Sequence, residues 1–231
     1  MWDGDLLDNP EGGPTSPGSK KFIIFIQRLL TSQEGSMNVI GSSLDKSIAR
    51  REQGILMQLM WISLFAAATA AGARLEIPHQ PVPYTLQTLV VLLSGAFLGA
   101  RNGAISQVLY LAAGVLGAPA FAMGGFGMGW LLGPTGGYLL AFPVAAGVVG
   151  YVIRARRTLP WAFLSMALGM TIIFLSGTVQ LYAVVFKKWS DAFVSGFLIF
   201  SWWDMLKLSA AAMIYHEVAK PGVLDRWFGR S

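Results

Sequence analysis

The chain has 231 residues and a net charge of +5, with 13% charged residues against 54% hydrophobic ones, and a mean hydropathy of +0.56. A soluble domain carries about 25% charged residues, so this composition belongs to a polytopic membrane protein. The absence of cysteine excludes disulfides, thiol catalysis and thiolate metal sites, and two histidines far apart, His79 and His216, offer no metal spacing.

The chain reads as three parts. Residues 1–53 form an N-terminal extension, 54–220 a membrane domain and 221–231 a cytoplasmic tail. The first 20 residues are rich in Asp, Glu, Gly and Pro, the composition of a disordered tail. Phe22–Leu30 is apolar but too short to cross a bilayer, so an interfacial helix is expected there. The change in composition near Met37 makes that methionine a candidate functional start. Detecting Met1 or Trp2 at the N-terminus of the natural protein would reject this.

Charge-free windows then define the spans. Gln53–Ala73 is the first and Tyr84–Ala100 the second, closed by Arg74 and Arg101. The uncharged stretch Asn102–Ile153 is long enough for two crossings. It divides into a helix over 103–117, an irregular segment over 118–133 and a helix over 135–153. Leu159–Phe186 is the fifth span and Gly196–Ala219 the sixth. Six spans place both termini on one side. Lys46, Arg50, Arg51, Arg101, Arg154, Arg156, Arg157, Lys220, Arg226 and Arg230 then share that side, against Arg74, Lys187 and Lys188 opposite. The positive-inside bias makes the termini cytoplasmic and accounts for the basic residues without nucleic acid.

Asp204 and Lys207 stand inside the sixth apolar stretch, three residues apart and hence on one helix face. At membrane depth each costs about 2.5–3.5 kcal/mol on insertion scales. Two readings are open: a mutual ion pair that permits burial, or a polar floor for a ligand. From an external start near Gly196, Asp204 lies about 12 Å down the helix, within reach of an external ligand.

The glycine-rich run from Met123 to Tyr138 is neither a dinucleotide fingerprint nor a phosphate-binding loop. Irregular backbone at membrane depth survives when buried in protein or lining a wet cavity. Its N–H groups and the following helix N-terminus could hold a carboxylate or ureido oxygen; the alternative is a flexible external loop with close helix packing. In Pro81–Thr88 the prolines set an extended entry. Thr85 and Gln87 either border the same cavity or serve as a cap and an interhelical bond. Ala66, Ala67, Ala70 and Ala71 let another helix approach closely, within the bundle or from a separate subunit.

Five pieces of sequence, in this order, resemble the BioY family: Pro-Val-Pro-Tyr-Thr-Leu-Gln at 81–87, Leu-Gly-Ala-Arg-Asn-Gly at 98–103, Gly-Gly-Phe-Gly at 124–127, Leu-Gly-Pro-Thr-Gly-Gly-Tyr at 132–138 and Asp-Met-Leu-Lys at 204–207. The family comprises biotin-binding S components of energy-coupling-factor (ECF) vitamin transporters. The resemblance covers about residues 55–218 and implies an all-α, six-transmembrane-helix bundle in the plasma (inner) membrane. It implies uptake of biotin from the external side, without cofactor or enzymatic activity, in partnership with a transmembrane coupling subunit and two ABC-type ATPase subunits. Residue by residue, it carries Asp204 and Lys207 over as polar ligand contacts, and Gly124, Gly125, Gly133, Gly136, Gly137 and Tyr138 as the wall around the ligand. Gln87 and Thr85 follow as bordering residues, and Ala66 with Ala70, or Ala67 with Ala71, as the docking face. Phe126 and Trp203 depart from the family pattern, at positions where some members carry a polar residue and a glycine respectively. A carrier for a different vitamin-like solute remains an alternative, as does an intramembrane enzyme using Asp204 as acid or base.

Overall fold

The computed structural model describes residues 54–198 and 202–219. Expectations for residues 1–53 and 221–231 lie outside the described residues. The described chain is almost wholly helical, and three of its helices are long and apolar enough to cross a membrane, or four if a pair bent by 43° counts as one.

Helix α1 (Gly54–Arg74) buries little of its surface against the rest of the protein. Ile62, Ala66, Thr69 and Ala73 form its buried stripe, at the three- and four-residue steps of a helix face. Its opposite face, with Leu56, Met60 and Leu64, is apolar and exposed, as suits lipid. Thr69 belongs to a buried polar cluster. The Gln107 amide donates to Ser94 Oγ at 3.0 Å, with Ser106 and Thr69 Oγ1 at 3.2 and 3.3 Å. Such interhelical bonds hold helices together where apolar contact with lipid is no worse than contact with protein.

After α1 the chain makes a small antiparallel hairpin, β1 (Glu76–Ile77) with β2 (Tyr84–Thr85), pairing Glu76 with Thr85 and Ile77 with Tyr84. The second helix therefore starts at Gln87, three residues later than the charge-free window implies. Pro83 keeps Val82 out of the helical region, and strand pairing takes Tyr84 and Thr85.

Helix α2 (Gln87–Val115) contains a reversal at Gly99, whose φ of 80° and ψ of 176° lie outside helical space. In a continuous helix, residues 87 and 110 would be about 34 Å apart. Instead Gln87 Nε2 donates to the Tyr110 hydroxyl at 2.5 Å, so the limbs 87–98 and 100–115 run antiparallel. This backbone region is essentially open to glycine alone. The stretches expected as the second and third spans fall largely in these two limbs, which a one-residue reversal joins.

The expected irregular segment holds a single 3-10 turn (Ala122–Gly124) and the short helix α3 (Met128–Leu132). Helix α4 (Gly136–Val152) packs against α2 and against α5 (Leu159–Leu181), which runs on into a π turn, Tyr182–Phe186. The stretch between the fifth and sixth expected spans, 187–195, is largely helical: α6 (Trp189–Phe193) and a second π turn (Val194–Leu198) precede α7 (Trp202–Val218). The core gathers Val91, Leu92, Phe142, Val149, Met166, Met170, Ile173 and Leu208. On α7 the buried residues are Asp204, Lys207, Leu208, Ala211, Ala212 and Tyr215. The two charges thus continue the same stripe that packs the helix into the bundle.

Candidate functional site

The α7 register turns Asp204 and Lys207 inward, where their side chains are 3% and 10% exposed. Lys207 Nζ lies 2.5 Å from Asp204 Oδ1 and donates to the Thr85 carbonyl at 3.1 Å. The pair therefore joins the β2 end of the hairpin to α7. Removing two charges from water is costly, and their attraction offsets this only with good geometry and further hydrogen bonds. The Thr85 carbonyl supplies one. Burial, followed by the negative charge of Asp204, holds the nearby Tyr84 hydroxyl above the usual phenol range.

A cavity of about 60 Å³ opens on the pair, walled by Val82, Pro83, Tyr84, Tyr138, Phe142 and Phe174, with Thr88 also facing in. A smaller one of about 30 Å³ adjoins it beside Gln87, Trp130 and Thr135. An outer chamber of about 500 Å³ lies beyond, lined by His79, Gln80, Met123, Trp130, Gly133 and Thr135 among others. Pro83 lines all three. Small-molecule pockets occupy about 300–1,000 Å³. The outer chamber is of that size, whereas the inner cavity is far smaller. A fourth cavity, about 330 Å³, borders Lys207, Trp203 and the hairpin.

The structure brings Asp204, Lys207, Thr85 and Tyr138 together around the inner cavity. Tyr138 is held by its hydroxyl, which donates to the Gly196 carbonyl at 2.9 Å. Gln87 lies beside the adjoining cavity with its amide engaged at both ends: Nε2 donates to Tyr110, and Oε1 accepts from Thr85 Oγ1 at 3.1 Å. It positions Thr85 and keeps a second N–H and a second lone pair beside that cavity.

Of the two readings open for the glycines, the structure shows the close packing. Only Gly133 of the five lines one of these cavities, and its carbonyl accepts from Gln180. A Cβ on Gly125 would fall 1.9 Å from the Trp130 ring, and one on Gly137 would fall 2.4 Å from the Ser176 carbonyl oxygen on α5. Gly124 likewise seats the Arg74 guanidinium, and Gly136 the Leu131 carbonyl. The amides of Gly125 and Gly136 are already bonded to the carbonyls of Ala122 and Gly133. These residues permit close approach, and the cavity is presented with the side chains of Trp130 and Thr135 instead. Neither departure from the family pattern enters the inner cavity. Phe126 is 59% exposed, and Trp203 lines the fourth cavity.

The alanines divide as well. Ala66 is part of the core and Ala70 packs against it, so that face is consumed within the bundle. Ala67 and Ala71 lie on the exposed face. Thr88, Trp130, Thr135, Phe142 and Phe174 were not singled out from sequence. For Thr88 a signal existed: it ends the Pro81–Thr88 run and lies one helical step from Thr85.

Fold and site define a multi-pass, membrane-embedded helical protein with a small, buried, charge-paired cavity opening toward a larger chamber. The family model described as the BioY family matches residues 42–222; the chain belongs to that family. It is 36% identical over 177 residues to a probable biotin transporter BioY of Lysinibacillus sphaericus, covering 73% of this chain and 90% of that one. It is 37% identical over 167 residues to the biotin transporter BioY of Thermotoga maritima, covering 71% and 97%. Its fold is similar to the crystal structure of the S-component for biotin from an ECF-type ABC transporter, with a TM-score of 0.69, 24% identity, and coverage of 75% of this chain and 96% of that one.

Proposed function

We propose that the chain is the biotin-binding S subunit of an ECF-type uptake system, capturing biotin from the external side of the plasma membrane. The observation that carries this reading is the Asp204–Lys207 pair, buried at 2.5 Å in an apolar-walled cavity. A cyclic urea offers N–H donors and a carbonyl acceptor, which complement a carboxylate beside an ammonium. The apolar walls suit the fused rings. The valerate tail extends past Pro83 toward the outer chamber. The relatives named as biotin transporters support this choice of ligand.

The chain crosses the membrane six times, through α1, the two limbs of α2, α4, α5 and the α6–α7 pair, with both termini cytoplasmic. Two features support this. Arg101 follows the Gly99 reversal closely, and Arg154, Arg156 and Arg157 follow α4, whose Gly150 approaches Ala100 at that same end. Arg74 lies toward the other end, where it donates to the Pro119 carbonyl. Nothing in this reading hydrolyses ATP, so a coupling subunit and two ATPase subunits supply the driving force. The coupling subunit docks on the α1 face bearing Ala67 and Ala71.

The test is equilibrium binding of labelled biotin to the detergent-purified full chain, challenged by excess unlabelled biotin or other vitamins. Displacement by biotin alone is expected. Selective displacement by another vitamin would make this a carrier for that solute.

A further inference from the structure

Thr88 adjoins Gln87 in sequence but faces another way, since successive helical residues are about 100° apart. Gln87 is engaged with Thr85 and Tyr110. Thr88 lines the inner cavity together with Asp204 and Lys207. Its Oγ1 is buried and, among the described residues, is the buried side-chain polar atom that lacks a hydrogen-bond partner. A helical threonine can satisfy its hydroxyl on the carbonyl one turn back. Thr69, Thr171 and Thr178 all do so in this protein, at 2.8 Å. Thr88 stands second in α2, where the carbonyl one turn back belongs to Tyr84 in β2 rather than to a helical turn, and its hydroxyl stays unbonded beside the charge pair.

An unbonded hydroxyl in an apolar enclosure is costly, and its position beside the charge pair gives it a use. We infer that Thr88 is a third polar contact to the ligand and selects for a urea-like head group; this rests on the biotin reading above. The ionised Asp204 only accepts hydrogen bonds and Lys207 only donates, whereas a hydroxyl does both. A cyclic urea presents two N–H groups and one carbonyl oxygen. Asp204 takes one N–H and Lys207 the oxygen, which leaves the second N–H for Thr88. A carboxylate head has no N–H to offer and meets the like charge of Asp204.

Calorimetric titration of biotin and of biotin methyl ester into the detergent-purified full chain tests this, using wild type, Thr88→Val and Thr88→Ser. The valine variant keeps the shape and should bind both compounds about ten-fold more weakly. The serine variant keeps the hydroxyl and should stay within about two-fold of wild type. If the valine variant does not fold, Thr88→Ala against Thr88→Ser gives the same comparison. Wild-type affinity in the valine variant overturns the assignment. So does a loss as large in serine as in valine, which would mean that Thr88 only fills space. A loss for biotin but not for its ester places Thr88 at the carboxylate and also overturns it. Wild-type protein that binds neither compound is a separate outcome, visible without any variant, and removes the biotin reading with everything built on it.

Discussion

The Lys207 ammonium lies between two elements far apart in sequence: 2.5 Å from the Asp204 carboxylate on its own helix and 3.1 Å from the Thr85 carbonyl at the end of the hairpin. The two charges hold each other and the hairpin as well. In the proposed reading, pairing and ligand binding are coupled, because a head group entering the cavity competes with bonds that also join α7 to the hairpin.

This coupling separates single from double substitutions. Lys207→Ala leaves Asp204 buried without its counter-charge and should cost about 3–5 kcal/mol of stability. Replacing both, as Asp204→Leu with Lys207→Met, should recover most of that loss because an apolar pair packs without desolvation. The double variant should still bind no biotin. Thermal melting and calorimetry on the same samples check this; a double variant that binds biotin would show that the charges serve folding only.

Gly99 should resist substitution. Its φ of 80° and ψ of 176° are strained for any residue with a Cβ, at about 1–3 kcal/mol. Gly99→Ala should lower the melting temperature while leaving the ligand's contacts in place. An unchanged melting temperature would argue against the one-residue reversal between the limbs of α2.

Gly125→Ala should act through Trp130. The added methyl falls 1.9 Å from the indole, so the ring must leave its place on the chamber wall. Biotin affinity should fall by about three- to ten-fold, matching the loss of one aromatic contact. Trp130→Phe in the same background should show little further loss, because the two changes act on one wall.

The α1 faces predict opposite outcomes for neighbouring alanines. Ala66 is buried at 7% exposure, so Ala66→Trp should overpack the core and destabilise the protein by about 1–3 kcal/mol or more. Ala67→Trp lies on the exposed face and should leave folding and biotin binding intact while abolishing co-purification with the coupling subunit. Normal co-purification of the Ala67 variant would move the docking face elsewhere.

Much of this site was legible in sequence for a local reason. Two charges at a three-residue spacing in an apolar helix must share a face, and the stripe they continue at Leu208, Ala211, Ala212 and Tyr215 has helical period. The features that were not legible depend on distant partners. The start of the second helix at Gln87 follows from Thr85 pairing with Glu76, nine residues back. That register decides that Thr88, not Gln87, turns into the cavity. The glycines of 124–137 fit a ligand-holding loop as well as a packing loop on sequence alone. Their use became visible only with Trp130 and the Ser176 carbonyl beside them. The division of the α1 alanines depends on Thr69 finding Gln107, 38 positions away.

The most direct test of the central claim is calorimetric titration of biotin into the purified wild-type chain and into Asp204→Asn, run side by side. The account predicts saturable one-to-one binding by wild type and strongly weakened binding by the asparagine variant, which keeps the shape but loses the acceptor charge. Equal affinity in the two proteins would contradict it.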